Sequence, residues 1–276
     1  MKRALKLTVA LDLIFLLLLS VSGSLSGVVS EVLYYGAFLI PVLLAFVLEM
    51  GDAAQSPNKQ SKELFTMLRI KKKDSSAVLT ILPLVIGVVL AISFLTSLFL
   101  NSLGVTDAPV PDEPILVMLL RHAALPAILE ELLFRLVPML LMAKYSRRGC
   151  VVWSSLFFAL IHCNLFQIPY AFVAGVIFMS VNLATGSVIP SLVLHFLSNS
   201  ASVVWLKYCK SRLAMSVYIS VLFALCILSV LVIAIKRKEY KERIKYALDG
   251  EVGAYVYPLA IVIPTLIAAV LNALSL

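Results

Sequence analysis

Charge is scarce in this sequence. Asp, Glu, Lys and Arg make up 14% of its 276 residues, and there are only three histidines. A soluble domain carries about a quarter charged residues. Apolar residues fill 62% of the chain and the mean hydropathy is +1.04. A water-soluble fold of this length cannot hide that excess, which excludes the ordinary soluble classes. Cysteine forms no pattern either. Cys150, Cys163, Cys209 and Cys226 lie in or near apolar runs without zinc-ligand spacing, which reads as small buried hydrophobes. No internal repeat is visible, so an inverted-repeat transporter gains no support. No HExxH segment occurs. No serine or cysteine has an evident activating base: Ser198 and Ser200 flank Asn199 with none beside them.

Apolar runs near membrane-spanning length are abundant. A span needs about 20 residues to cross a core of about 30 Å. Eight or nine such runs follow one another: from the basic start at Lys2-Arg3 to about 23, then about 32–47, 77–100, 115–143, 149–163, 168–185, 189–206, 214–235 and 253–274. The first has the look of a signal peptide but is read as a retained anchor, given the spans after it. The run from Ile115 is too long for one perpendicular span, so it is expected to be tilted or broken, and Pro138 within it can bend the helix. The formal charge of +8, from 23 basic and 15 acidic residues, sits mainly in 51–76 and 236–251. These are the expected cytoplasmic segments, a simpler reading than nucleic-acid binding. The stretch 63–70 is expected as a short amphipathic helix on the membrane surface. Lys207, Lys210 and Arg212 fall on the wrong side of this alternation, which points to a re-entrant run or a misplaced boundary.

The ionisable residues inside the runs are the candidates for function, because an acid or arginine at mid-membrane costs about 2.5–3.5 kcal/mol on insertion scales. One run carries Glu130, Glu131 and Arg135. Glu131 and Arg135 are i,i+4 and share a helix face, whereas Glu130 points about 100° away. His162 closes the run SSLFFALIH, one turn after Phe158. His195 lies in SLVLHFLSNS with Asn199 one turn on. Water held by Glu130 and His162 is suited to general-base activation, and His195 with Asn199 to hydrogen bonding a developing oxyanion. A polar network between helices accounts for the same residues without chemistry. Glu130, His162 and His195 also form a two-imidazole, one-carboxylate set of the kind zinc takes, but without the tight spacing that would favour it. His122 beside Arg121 reads as interfacial or structural, and Asp12 has no account.

Glu130-Glu131-Leu132-Leu133-Phe134-Arg135, Phe158 to His162 and His195 to Asn199 resemble, in order, three motifs of the intramembrane proteases related to CAAX prenyl endopeptidases (the CPBP or Abi family, glutamic-type). The resemblance covers about 115–205. Leu136 stands where the family often has glycine, and FFAL is bulkier than usual around the second motif. The resemblance implies Glu130 as the catalytic glutamate with His162 helping to activate water, His195 and Asn199 at the oxyanion, and Glu131 and Arg135 in support. It implies no cofactor. Its partners are peptide or protein substrates, prenylated or otherwise membrane-associated, and membrane lipids.

The expected fold is all-α, a polytopic transmembrane bundle of eight to nine helices with a CAAX-protease-like catalytic core. Residues 1–114 hold N-terminal spans and a basic loop, 115–205 the core, and 206–276 C-terminal spans and a second basic loop. The expected protein is multi-pass, in the cell membrane if its source is a prokaryote, and an intramembrane endopeptidase. A non-catalytic membrane scaffold or bacteriocin-immunity-type protein and, further off, a transporter are the competing readings.

Overall fold

The computed structural model describes residues 2–52, 66–69, 72–106, 113–252 and 259–275. Every regular element among them is helical. This follows from the solvent: lipid offers no partner for backbone N–H and C=O groups, so each apolar run must satisfy its own.

Ten helices result. They are α1 (Lys2–Gly23), α2 (Gly27–Asp52), α3 (Lys72–Ser102), α4 (115–141), α5 (Arg147–Leu160), α6 (Ile168–Thr185), α7 (Ile189–Tyr208), α8 (Arg212–Ile235), α9 (Arg237–Ala247) and α10 (Leu259–Ser275). Six of them, α1, α2, α3, α6, α7 and α8, are long and apolar enough to cross a membrane. The chain is therefore an integral, multi-pass membrane protein. The nine apolar runs of the sequence correspond to α1–α8 and α10, and the charged segment after α8 adds α9. Not every run is a full span. α5 has only 14 residues, about 21 Å at 1.5 Å per residue, and so cannot cross a core of about 30 Å alone.

α4 is continuous but irregular. It is α-helical over Ile115–Leu119, Leu125–Glu131 and Val137–Leu141, with π turns at Leu120–Ala124 and Leu132–Leu136 between them. Each π turn stops two residues before a proline, Pro126 or Pro138. Proline has no N–H to continue the i→i−4 ladder, and a wider turn is one way to absorb the break.

The helices alternate in direction. At one end of the bundle, Ser22 and Ser30 clasp the α1–α2 hairpin: each hydroxyl donates to the other's carbonyl, at 2.8 and 2.9 Å. At the opposite end the basic segments gather. Arg243 of α9 pairs with Asp74 at the start of α3 at 2.9 Å. Ser146 caps α5 by accepting from Gly149 N, and its hydroxyl donates to Glu251 O at 2.6 Å. Arg147 and Arg148 hold Tyr246, Leu248 and Asp249. Of the expected surface helix at 63–70, only 66–69 is described; it is helical at 66–67 and turns at 68, and Met67 O accepts from Val188 N and Ser187 Oγ in the α6–α7 turn. The remainder lies outside the described residues.

The loop with Lys207, Lys210 and Arg212 lies at the end opposite this basic cluster. The helices on either side of it, α7 and α8, are both long and apolar enough to cross a membrane, and Lys207 has a local partner, its Nζ donating to Glu113 O at 3.0 Å. Close packing comes from small residues, as expected without a hydrophobic drive between helices in lipid. A Cβ on Gly175 of α6 would meet Ser155 of α5 at 3.0 Å, and one on Gly87 of α3 would meet Cys226 Sγ of α8 at 2.9 Å.

Candidate active site

The site is built from α4 outward. Glu131 and Arg135, one turn apart, are both fully buried, with Arg135 Nε 3.5 Å from Glu131 Oε2. That separation makes an ion pair rather than a directed hydrogen bond, and Arg135 Nε and Nη2 and Glu131 Oε2 have no hydrogen-bond partner among the described residues. Arg135 is held in other ways. Its Nη1 donates to Phe134 O at 2.9 Å, the carbonyl four residues before Pro138 and so the one proline leaves without an α-helical donor. The guanidinium carbon lies 4.3 Å above the Phe158 ring and 5.8 Å from that of Phe178, positions that favour a cation.

His195, buried on α7, links the two glutamates. Its Nδ1 is 2.9 Å from Glu131 Oε1, and its Nε2 is 3.7 Å from Glu130 Oε2. The two carboxylates point to different sides of α4, as the 100° offset requires, yet one imidazole spans the gap. The side chain of Glu130 is 13% exposed where Glu131 is closed off entirely. Of the adjacent pair, Glu130 is thus the one that water or substrate reaches.

His162 follows the end of α5. Because α5 is short, that end stays within the bundle. Its Nδ1 contacts Phe158 O at 2.8 Å, and its ring stands edge-on to Phe158 with centroids 5.1 Å apart. The same Phe158 ring meets His195 edge-on at 5.8 Å. Phe158 therefore joins α4, α5 and α7, and His162 enters the cluster through it: among the described residues no hydrogen bond or ion pair connects His162 to Glu130. Asn199 lies one turn beyond His195, half-buried, and has no side-chain hydrogen bond among the described residues.

Of the sequence candidates, Glu130, Glu131, Arg135 and His195 meet directly. His162 joins them through Phe158, and Asn199 is beside them on α7. His122 is exposed and outside the group. Asp12 is buried in α1, its Oδ2 unpartnered. Three participants carry no motif signal. Phe178 of α6 lies tilted against His195 at 5.4 Å. Tyr34 of α2 is near enough for its phenol to interact electrostatically with Glu130. Ser191, one turn before His195, is fully buried, its hydroxyl accepting from Asn182 Nδ2 of α6 at 2.6 Å and donating to Val188 O at 3.0 Å. Each looks like ordinary helix sequence until its neighbour on another helix is known.

Residues 112–201 match the model of the family described as Type II CAAX prenyl endopeptidase Rce1-like. These residues form a CAAX-protease-like domain. The matched stretch holds both glutamates, Arg135, His162, His195 and Asn199. No curated protein and no solved structure matches the chain. In the CAAX-protease-like domain the buried Glu–Arg and Glu–His pairs are consistent with a glutamic-type intramembrane protease. Among the described residues no group of three or more His, Cys, Asp or Glu is arranged to hold a metal ion, and all four cysteines are free.

Proposed function

We propose that the protein is an intramembrane endopeptidase that hydrolyses peptide bonds of membrane-associated or lipidated substrates. Residues 115–205 are its catalytic core, flanked by helices that set it in the bilayer. The observation that carries this reading is His195 bridging one buried and one accessible glutamate, 2.9 Å from Glu131 and 3.7 Å from Glu130.

Glu130 is the general base. It takes a proton from a water molecule as the water oxygen attacks the carbonyl carbon, and later returns that proton to the departing amine. His162 helps to orient the water from the end of α5. The carbonyl oxygen gathers negative charge as the tetrahedral intermediate forms. Asn199 and the outward nitrogen of His195 donate to it, and such donors act strongly where bulk water is excluded. Glu131 holds the inner nitrogen of His195. Arg135 offsets the charge of Glu131, which would otherwise be an isolated anion in the protein interior.

The test uses purified protein in detergent or liposomes and a peptide panel that includes farnesylated C-terminal peptides. Wild type is compared with Glu130→Gln, with and without chelator. Cleavage by wild type and its loss in Glu130→Gln is the expected result. Equal cleavage by the two would overturn the role of Glu130, and activity lost to chelator and restored by zinc would overturn the metal-free mechanism.

A further inference from the structure

The basic turn between α7 and α8 takes no part in the candidate active site. It lies at the end of the bundle opposite the main basic cluster, where loops usually carry few lysines and arginines. Lys207 is engaged with Glu113 O. Lys210 and Arg212 are both exposed, and among the described residues neither makes an ion pair or a side-chain hydrogen bond. Two cations without partners there are thus held out where α7 ends and α8 begins. About one to two turns inside that level, Trp205 of α7 meets Tyr218 of α8 edge-on at 5.3 Å. Tyr208, at the end of α7, is exposed. Aromatic residues in such positions mark the membrane–water interface.

Below the turn, α8 is the least buried of the spans. It touches α3 where Gly87 lets Cys226 approach, Cys226 Sγ donating to Pro83 O at 3.2 Å. It touches α7 where Tyr218 Oη donates to Ala201 O at 3.1 Å. Beside these contacts runs a groove of about 630 Å³, bounded by Ile86 of α3, Cys209 and Ser211 of the turn, and Leu213, Tyr218 and Leu225 of α8. Its walls are almost wholly apolar. Ser211 to Leu225 covers about 21 Å along the helix, more than the roughly 15 Å depth of one leaflet of the hydrocarbon core. The groove therefore starts at the two cations and runs to mid-membrane.

We propose that this groove binds a phospholipid with an anionic headgroup, one acyl chain lying along α8 and the phosphate held by Lys210 and Arg212. Charge decides the class of lipid. A guanidinium fork matches phosphate oxygens, and an ammonium beside it adds a point charge on a flexible stem. Basic pockets between transmembrane helices take anionic headgroups for this reason. A zwitterionic headgroup would bring its own cation to a site that already holds two. A second copy of the chain is disfavoured, because a two-fold axis along the membrane normal would set each Lys210–Arg212 pair against its twin. The hydrocarbon chain of a lipidated substrate brings no phosphate to meet the cations, and α8 carries no residue of the candidate active site. The proposal is independent of the endopeptidase reading.

The test takes the whole chain in detergent, stripped of lipid, and follows binding of dioleoyl phosphatidylglycerol or dioleoyl phosphatidylcholine by native mass spectrometry. Wild type is expected to prefer phosphatidylglycerol. In the double variant Lys210→Gln, Arg212→Gln its affinity should fall by about 30-fold, at about fivefold for each cation, while phosphatidylcholine binds as before. Val217→Trp fills the groove with an indole and should weaken both lipids. Phosphatidylglycerol should raise the melting temperature of wild type and of neither variant, as for a ligand that binds only the folded state. Should Val217→Trp fail to fold, the charge variant, altered only at exposed positions, decides. Equal affinity of wild type for the two lipids, or phosphatidylglycerol bound as tightly by the charge variant, overturns the proposal. So does displacement of the lipid by an equal concentration of glycerol 3-phosphate, which would make the turn a phosphate site without a groove. A lipid-free dimer that Val217→Trp dissociates would give the groove to a second copy and overturn it too.

Discussion

His195 Nδ1 lies 2.9 Å from Glu131 Oε1 while Nε2 of the same ring lies 3.7 Å from Glu130 Oε2. Neighbouring glutamates on one helix are thus divided by a ring from another helix into an enclosed member and an accessible one. That division separates the effects of two otherwise similar mutations.

Glu130→Gln is expected to leave the fold intact. Glu130 is partly exposed, and its contact with His195 is longer than a hydrogen bond. Activity should nevertheless fall by about 10²–10⁴-fold, the usual contribution of a general base. Glu131→Gln should behave differently, because it leaves Arg135 as a buried cation without its counterion; breaking a buried pair in this way costs about 3–5 kcal/mol. Melting temperature in detergent, measured beside peptide cleavage, distinguishes the two. A Glu131→Gln protein as stable as wild type would show that Arg135 does not depend on Glu131.

Arg135→Lys tests the other half of that pair. The charge survives, but a planar guanidinium over Phe158 at 4.3 Å and the donor to Phe134 O are both lost. Lysine presents a compact, strongly hydrated ammonium that fits neither role. Melting temperature and activity should both drop, and Phe158→Leu, which removes the ring and keeps the bulk, should lower them in the same direction. An Arg135→Lys protein as stable and as active as wild type would show that charge alone is required.

How legible this was from sequence depends on which side of each interaction the residue lies. The apolar runs were readable because lipid imposes their length and composition residue by residue, and the charged segment at 236–251 because it has neither. Glu130, Glu131, Arg135, His162, His195 and Asn199 stood out because each is polar where lipid penalises polarity. The length of the run from Ile115 and Pro138 within it announced a break, but not that it would take the form of two π turns. Phe178, Ser191 and Tyr34 could not be picked out. Phenylalanine, serine and tyrosine are unremarkable in a membrane helix, and their importance comes from the helix they face. Nor do loop charge statistics include a local partner such as Glu113 O, which Lys207 meets.

The alternation of the helices predicts opposite faces for two basic loops. In a cysteine-free background, Lys245→Cys on α9 and Lys210→Cys after α7 should be labelled from opposite sides of the membrane by an impermeant maleimide. Both residues are exposed. The positive-inside trend places α9 in the cytoplasm, so in intact cells only Lys210→Cys is expected to label, and permeabilisation should add Lys245→Cys. Labelling of both from one side would require an additional turn within α8.

Two glycines give a contrast between scaffold and site. Gly87 lets α3 approach Cys226 of α8, and Gly175 lets α6 approach Ser155 of α5. Valine at either position must push its neighbour away, since the added Cβ would come within 3.0 Å of it or closer. Overpacking of this kind costs about 1–3 kcal/mol. The outcomes for activity should still diverge. α8 is the least buried of the six spans, and it carries none of the site residues, so Gly87→Val should lower the melting temperature and spare cleavage. Gly175→Val forces α6 from α5 beside Phe178 and Phe158, the two rings against which His195 and Arg135 rest. It should abolish cleavage for a comparable loss of stability. Equal activity in two variants of equal stability would mean that the aromatic contacts do not hold the site in register.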